Sequence, residues 1–253
     1  MTQPRQRASG VELFEARRIL FTEGRPPRLS IEHRRAMDRA WSEAVEANPN
    51  LFDGPVVACT GLEGEGSDTL VLSWARASYR YRALRVVPGA PPVASVFVGV
   101  VQPSDDGRLL VGRMSSSTVV PGRIQLPGGS MEPPGQGEPL DVAGLRRHAA
   151  RELVEETGVD TPAEDLALWC VTRGEYGNVG FLFRAPSRPP AELHERFSAL
   201  VSAETAHGHQ PEFDRILLVR SAAELVGVPG PRMDYLETVV RRHAEEDRRR
   251  PLP

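Results

Sequence analysis

The segment from Arg151 to Val159 constrains this chain more than any other, because it combines a dense run of charges with a clear helix end. It reads Arg-Glu-Leu-Val-Glu-Glu-Thr-Gly-Val. At about 100° per residue, Glu155 and Glu156 fall within one wedge of a helix around Glu152. Ionised carboxylates this close together repel one another strongly unless a cation lies among them. The segment therefore predicts a helix whose acidic face holds a cation.

The ligand atoms on this face are all carboxylate oxygens, which favour a hard divalent ion, Mg²⁺ or Mn²⁺, over zinc. Such ions usually keep several waters and bind substrate phosphates. The two cysteines, Cys59 and Cys170, are isolated and give no metal-ligand spacing. The pattern predicts metal-assisted chemistry on a phosphate.

Composition excludes several classes of function. All 31 basic residues are arginine, which excludes a lysine Schiff base and a P-loop lysine. The net charge of −3 provides no global basic field for nucleic acid. The chain has no run of about 18 apolar residues and no apolar signal-peptide core, so we expect no membrane partner. Isolated cysteines fit a reducing compartment, and we expect a cytoplasmic protein.

The first third of the chain predicts one helix and several strands. Ser30 is a suitable N-cap, and the alternation of Ser78-Tyr79-Arg80-Tyr81-Arg82 favours a half-exposed strand. A proline-rich stretch at 87–92 is the best linker candidate. The predicted elements are a mostly flexible segment over 1–29, a helix over 31–47, and strands over 55–60, 69–75 and 78–82.

The rest of the chain predicts alternating strands and helices. Asp141 can cap the acidic helix, and Gly158 can end it in the left-handed conformation. The predicted elements are strands over 93–101, 108–113, 123–126, 166–172, 179–184 and 213–219, with helices over 142–157 and 233–249.

Three motifs together resemble a known family. Pro127-Gly128-Gly129, then Glu138, then Arg151 to Val159 are similar to the Nudix box of the Nudix hydrolases. The second half of the box matches at every fixed position. The first half has eight residues between Gly129 and Glu138 where the family has five, and twelve between Glu138 and Arg151 where it has seven. Glu132 is the alternative match for the first glutamate of the box.

The resemblance implies an α/β fold: a Nudix α/β/α sandwich with a mixed sheet over 93–250, preceded by an N-terminal α+β extension over 30–92 that shapes the substrate pocket. It implies a metal-dependent hydrolase that cleaves a diphosphate bond in a nucleoside diphosphate linked to another moiety. Carried over by position, the metal ligands for Mg²⁺ or Mn²⁺ are Glu152, Glu155 and Glu156, the last two also catalytic. The residues that shape the box are Arg151, Glu138 and Gly158, while Gly128 and Gly129 let the backbone approach phosphate.

The resemblance also implies a general base from a downstream glutamate. Glu204 and Glu212 flank the polar segment 205–211, just before a predicted strand. Either could serve as the base, and we favour Glu204 because loop residues reach a site more easily.

The substrate class is suggested by short motifs before the box. Asn48-Pro49, Leu51 to Pro55, and Ser78-Tyr79-Arg80 resemble the front portion of UDP-glucose-type Nudix diphosphatases. This resemblance implies a UDP-sugar, cleaved to UMP and a sugar 1-phosphate, with Tyr79 and Arg80 on the base or phosphate. Arg113 lies in a stretch similar to the one before the box in coenzyme A members.

Several alternatives stay open. The substrate could be coenzyme A, ADP-ribose or a nucleoside triphosphate, and the domain could sense a nucleotide without catalysis. The expected partner is a small nucleotide, with neither nucleic acid nor membrane, and a homodimer is a further alternative.

Overall fold

The computed structural model describes residues 10–65, 68–91 and 93–249, which form ten strands and seven helical segments. The strands are β1 (Glu12–Phe14), β2 (Arg18–Glu23), β3 (Pro55–Glu65), β4 (Thr69–Ser78), β5 (Ala94–Val101), β6 (Leu109–Met114), β7 (Ile124–Gln125), β8 (Ala167–Arg173), β9 (Val179–Arg184) and β10 (Phe213–Val219). The helices are α1 (Ile31–Ala47), α2 (Val142–Thr157), α3 (Pro190–Ala206), α4 (Ala222–Val226) and α5 (Leu236–Arg249), with 3₁₀-helices at Tyr79–Val86 and Ala163–Asp165.

Two sheets organise the molecule. The larger has seven strands in the order β1-β8-β9-β5-β3-β4-β2, and the smaller has three in the order β10-β6-β7. The pairs β5–β9 and β2–β4 are parallel, while the other pairs are antiparallel. Helix α2 packs on β5 and β9, and α5 covers a second apolar cluster that includes residues of β6 and β9. The predicted mixed α/β fold is confirmed.

Helix α2 forms for local reasons that the sequence already contains. The Asp141 Oδ1 atom accepts a hydrogen bond from the Gly144 backbone N–H at 2.6 Å and so caps the first turn. Leu145 and Leu153 are fully buried on its core face. Gly158 ends the helix at φ +71°, and a Cβ there would lie 2.6 Å from the Arg196 carbonyl oxygen. Both predicted ends of this helix are confirmed.

The N-terminal extension is continuous with the rest of the sheet. Helix α1 has the predicted bounds, and the Ser30 hydroxyl accepts from the His33 backbone N–H at 3.1 Å. Strand β3 pairs with β5 through Ala58 opposite Ser95. Hydrogen bonding thus connects the extension to the second half of the chain, and a domain boundary near residue 92 stays a prediction.

The segment 1–29 differs from the prediction that it is mostly flexible. Residues 1–9 lie outside the described residues, but β1 pairs with β8 and β2 pairs in parallel with β4. Both strands lie at the edges of the seven-stranded sheet. Phe14, Ile19 and Phe21 pack against the main core, so apolar burial orders a segment whose arginine content suggested otherwise.

The predicted strand over 78–82 is wrong. Strand β4 ends at Ser78, and a 3₁₀-helix follows over Tyr79–Val86. Leu84 is buried beside Met37 of α1, with Tyr81 packed against the same cluster. Tyr81 and Leu84 are three residues apart, which matches the three-residue turn of a 3₁₀-helix. Packing on α1 therefore overrides the two-residue alternation of the sequence.

Helix α3 has no counterpart among the predicted elements. It begins with a proline in its first turn and buries Leu193 and Phe197, and its last turn contains Glu204. Among the described residues, no helix has the length and apolar character that crossing a membrane would require.

Candidate active site

A cavity of about 590 Å³ lies between the Gly128–Ser130 loop, the first 3₁₀-helix, the β8–β9 turn and the segment before β10. Its volume is in the range of about 300–1,000 Å³ that is typical of small-molecule sites. The lining side chains are mostly polar, charged or aromatic. They include Asn50, Tyr79, Arg82, Arg85, Ser95, Phe97, Arg123, Gln125, Tyr176, Asn178, Gln210, Glu212, Arg232, Asp234 and Tyr235.

Glu156 is the most enclosed carboxylate of the acidic helix. Its exposed fraction is 1%, and its Oε2 atom accepts a hydrogen bond from the Gly128 backbone N–H at 2.5 Å. Its Oε1 atom is buried without a hydrogen-bond partner among the described residues. Burial raises the pKa of Glu156 well above its usual value, and the charges of Glu212 and Glu152 raise it further. An ionised Glu156 is therefore unfavourable without a cation.

Glu152 lies directly against the glycine loop. A Cβ on Gly129 would lie only 2.7 Å from its Oε1 atom, so glycine is what allows this approach. His148 places its Nε2 atom 3.0 Å from the same oxygen, without the alignment of a full hydrogen bond. Arg151 contacts the other ring nitrogen, Nδ1, at 2.6 Å. Because a guanidinium only donates, Nδ1 must accept, and the ring proton belongs on Nε2, facing Glu152.

Glu155 is the least enclosed of the three. Its side chain is 60% exposed, and one carboxylate oxygen lies 3.9 Å from the Arg151 Nε atom. Its charge makes the smallest contribution to the shift in the Glu212 pKa. The wedge predicted around Glu152 thus has a buried side at Glu156 and an open side at Glu155.

Glu212, and not Glu204, comes close to these carboxylates. Glu212 lines the cavity, and its backbone carbonyl accepts from the Ser115 N–H at 2.8 Å. Desolvation raises the pKa of Glu212, and repulsion from Glu152 adds to this effect. Glu204 lies in the last turn of α3, 3.5 Å from His209, and does not line the cavity. The expectation that Glu204 is a loop residue was wrong, because α3 extends through it.

The carboxylate end, defined here as Glu152, Glu156 and Glu212 with the Gly128-Gly129 loop, fits a hard divalent cation by its donor chemistry. All its side-chain donors are oxygens, and one buried oxygen lacks a partner. The described residues contain no group of three His, Cys, Asp or Glu side chains already gathered closely enough to hold an ion.

Arg123 is a half-buried cation that acts on both Glu156 and Glu212. Its guanidinium donates to a neutral acceptor, the Gln125 Oε1 atom, at 3.0 and 2.7 Å. No carboxylate of the described residues lies within 4.0 Å of it. Desolvation lowers the pKa of Arg123, as expected for a cation that lacks an anionic partner.

The 3₁₀-helix determines which residues of its segment reach the cavity. With three residues per turn, Tyr79, Arg82 and Arg85 lie in one row, and all three line the cavity. Arg80 faces elsewhere: its Nε atom donates to Asp53 at 2.7 Å, and its second nitrogen contacts Asp38 at 3.1 Å. Tyr79 therefore lines the cavity and Arg80 does not, and contact of Tyr79 with substrate stays a prediction.

Glu152, Glu155 and Glu156 do not line the cavity themselves, although Glu156 and Glu152 contact the Gly128-Gly129 loop that does. Arg113 and Glu138 also lie outside it. Arg113 donates to Asp214 at 2.7 and 3.0 Å. Glu138 accepts from the Gly135 backbone N–H at 3.3 Å within its own loop. Neither contributes to the cavity wall.

The sequence analysis did not identify most of the arginines that line the cavity, or its aromatic residues Phe97 and Tyr235. Tyr235 is buried and stacks on Phe97, with ring centroids 5.3 Å apart. Arg123 directly precedes β7 and Gln125 lies in it, shortly before Pro127-Gly128-Gly129. This proximity to the glycine loop was the available signal. For Arg82 and Arg85 the signal was their three-residue spacing from Tyr79.

No protein-family model matches this chain, and no curated protein matches it. Among solved structures, a MutT protein from Methanosarcina mazei Go1 is 17% identical; the match covers 62% of this chain and 96% of that one, with a TM-score of 0.38. A bifunctional NMN adenylyltransferase/ADP ribose pyrophosphatase from Francisella tularensis, complexed with AMP and Mn ion, is 18% identical over 66% of this chain and 45% of that one, with a TM-score of 0.38. A NUDIX hydrolase from Nitrosomonas europaea is 21% identical over 60% of this chain and 90% of that one, with a TM-score of 0.27. These TM-scores are all below 0.5, so the functional conclusions rest on the residues of this chain.

Proposed function

We propose that this protein is a metal-dependent hydrolase of a phosphoric anhydride, acting on a nucleoside diphosphate linked to another moiety. The observation that carries the proposal is the carboxylate end, where Glu156 has a buried unpartnered oxygen and is repelled by Glu152 and Glu212. A divalent cation relieves that repulsion, and the phosphates of a diphosphate are its usual further ligands.

The residues of the carboxylate end and their neighbours Glu155 and Arg151 have separate roles in this proposal. Glu152 and Glu156 hold Mg²⁺ or Mn²⁺, with Glu155 reaching in from the open side. A bound ion supplies charge neutralisation and a more acidic water. Arg151 positions Glu152 through His148 and stays away from substrate. The Gly128 and Gly129 backbone leaves room for a phosphate to approach.

Glu212 replaces Glu204 as our candidate for the general base. It lines the cavity next to the proposed metal ligands, and its raised pKa brings it nearer to the pH at which an enzyme works. Arg123, half-buried and without a carboxylate partner, is suited to the negative charge on the diphosphate in the transition state.

For the substrate we propose a nucleotide-sugar, such as a UDP-sugar that yields UMP and a sugar 1-phosphate. The cavity's volume accommodates a molecule of this size, and its aromatic side chains Tyr79, Phe97 and Tyr235 provide surfaces for a base or a sugar. Arg80 and Arg113 have no part in this proposal, because each is paired with aspartate outside the cavity.

A panel assay tests the function. We expect Mg²⁺-dependent release of a nucleoside monophosphate from at least one class among UDP-sugars, ADP-ribose, coenzyme A, dinucleotides and nucleoside triphosphates. The control is the Glu156→Gln variant, checked for folding by circular dichroism. Tight Mg²⁺-dependent binding of a nucleotide with no product from any class would instead favour a non-catalytic nucleotide sensor.

A further inference from the structure

The cavity contains a second unbalanced cluster of charge, at the end formed by the first 3₁₀-helix and the β8–β9 turn. Four arginines line the cavity, against two acidic side chains, Glu212 and Asp234. Arg232 is occupied, because it donates to backbone carbonyls at the end of α4. Arg123 belongs with the carboxylate end. The remaining two, Arg82 and Arg85, are the arginine pair considered below.

Each member of the arginine pair has only neutral partners. Arg82 lies over the Tyr79 ring, 5.1 Å from its centroid, and also contacts the Tyr79 hydroxyl. Arg85 lies over the Tyr176 ring at 5.4 Å and donates to the Asn178 Oδ1 atom at 2.5 Å. Within the described residues, no carboxylate oxygen comes within 4.0 Å of either guanidinium.

Asp234, an acidic side chain that lines the cavity and influences Arg85, is already engaged. Its two oxygens accept from the backbone N–H groups of Glu175, at 3.0 Å, and Tyr235, at 2.9 Å. Its charge has the smallest of the influences on the pKa of Arg85. Asp234 therefore holds the β8–β9 turn in place and leaves the arginine pair unneutralised.

The arginines of the cavity influence one another and, through Arg123, the carboxylates. Arg82 repels Arg85 on one side and Arg123 on the other. Arg123 in turn acts on Glu156 and Glu212. A diphosphate held at the carboxylate end is within the influence of Arg123, and the arginine pair lies one step farther out. Each guanidinium lies over an aromatic ring and has further N–H donors beyond its one neutral contact, which suits bidentate recognition of a planar or tetrahedral anion.

We propose that the arginine pair binds a second anionic group of the substrate, separate from the diphosphate. The substrate is then a nucleoside diphosphate derivative that also carries a carboxylate, as in a sugar acid, or a phosphate monoester. This inference rests on the proposed function, because the anion belongs to the molecule that is hydrolysed. It narrows the substrate from any nucleotide-sugar to an acidic one.

Two matched ligand pairs test the proposal and distinguish the two sources of the anion. UDP-glucuronate against UDP-glucose isolates a carboxylate, and 2′-phospho-ADP-ribose against ADP-ribose isolates a phosphate monoester. We measure kcat/KM for each with Mg²⁺, in the parent protein, in Arg82→Gln/Arg85→Gln, and in Arg85→Gln alone in case the double variant fails to fold. Arg35→Gln on the exposed face of α1 removes a charge outside the cavity and is the control.

We expect the acidic member of one pair to be preferred by about tenfold or more, in line with hydrogen bonds to a charged group. That preference should fall towards unity in the double variant, fall partly in Arg85→Gln, and persist in Arg35→Gln. A parent preference near unity in both pairs overturns the proposal, and so does a preference that survives in the arginine variants.

Binding separates this proposal from the proposed function. Isothermal titration of the same pairs into Glu156→Gln, without divalent metal, measures the preference without turnover. If no ligand is hydrolysed but the acidic one still binds more tightly through the arginine pair, only the hydrolase proposal fails. If hydrolysis occurs and neither pair is distinguished, only the arginine-pair proposal fails.

Discussion

The carboxylate end and the arginine pair have unbalanced charges of opposite sign, and they stand on different kinds of structure. Of the carboxylate end, Glu212 and the Gly128-Gly129 loop line the cavity. At the carboxylate end, Glu152 and Glu156 project from a long helix with a side-chain cap, a buried core face and a glycine stop. At the arginine end, Arg82 and Arg85 project from a 3₁₀-helix that is shaped by packing on α1. Each end needs a ligand of the opposite charge. A metal-bound molecule with a distant acidic group satisfies both, which is why we treat the two ends as parts of one site.

The largest expected effect is at Glu156, and it tests whether the carboxylate end is catalytic. Glu156→Gln should lower kcat by about 10²-fold or more, because it removes charge from the transition-state electrostatics. Glutamine keeps an oxygen for the Gly128 N–H, so the fold should survive. Steady-state kinetics with Mg²⁺ measures the change, and unchanged turnover would show that this end has no catalytic role.

Without metal, we expect Glu156→Gln to be more stable than the parent protein, by an amount that increases with pH. The folded protein holds the Glu156 proton more tightly than the unfolded chain, in which the pKa is near 4.5. The parent therefore loses stability as the pH rises above that value, until it passes the raised folded pKa. Glutamine removes this loss, so the melting temperature of the variant should exceed that of the parent more at about pH 8 than at about pH 5. An equal difference in melting temperature at the two pH values would contradict the raised pKa of Glu156.

The next effect distinguishes the two downstream glutamates. Glu212→Gln should lower kcat by about 10²-fold, the lower end of general-base contributions, and should remove the acidic limb of the pH–rate profile. Glu204→Gln is the matched control, since Glu204 lies outside the cavity. A larger loss in Glu204→Gln would instead identify Glu204 as the general base.

The two loop glycines provide a contrast between stability and metal use. Gly128 has φ +147°, and a Cβ there would lie 2.2 Å from the Val98 carbonyl oxygen. Gly128→Ala should therefore lower the free energy of unfolding by about 3 kcal/mol, or roughly 6–12 °C in melting temperature. A Cβ on Gly129 meets only the flexible end of Glu152, so Gly129→Ala should melt near the parent but need more Mg²⁺ for half-maximal rate. Thermal melts and Mg²⁺ titrations measure the two effects, and similar melting losses in both variants would refute the distinction.

The smallest expected effect is at Arg80, which lies in the same 3₁₀-helix as the arginine pair but faces away from the cavity. Arg80→Met should destabilise the protein by about 1 kcal/mol, since partly exposed ion pairs contribute little, and lower the melting temperature by roughly 2–4 °C. The substrate preference measured for the arginine pair should be retained, because Arg80 faces Asp53 and Asp38 and lies outside the cavity. Loss of that preference with no change in melting would place Arg80 at the site after all.

The sequence predicted those parts of the molecule whose cause is local. Helices α1 and α2 have the predicted bounds, because a capping side chain, an apolar stripe and a terminating residue all lie within each segment. Strands β9 and β10 also have the predicted bounds, since each is a short segment rich in apolar residues between polar turns.

The rest depended on contacts between distant segments. The alternation of tyrosine and arginine over 78–82 is compatible with a strand, and only packing on α1 selects the 3₁₀-helix. That choice moves Arg80 out of the cavity and brings Arg85 in. Helix α3 had a readable signal, a proline in its first turn followed by Leu193 and Phe197 four residues apart. Without that helix, Glu204 looked like a loop residue.

The location of the arginine pair has a consequence for how this protein could change over time. The pair stands on a short element held by α1 and by Asp53, and it shares no secondary-structure element with the helix that carries Glu152 and Glu156. Replacing residues 79–86 would therefore exchange the selectivity of the molecule while sparing its chemistry. A laboratory could exploit that separation by grafting altered versions of this one segment to retarget the catalyst.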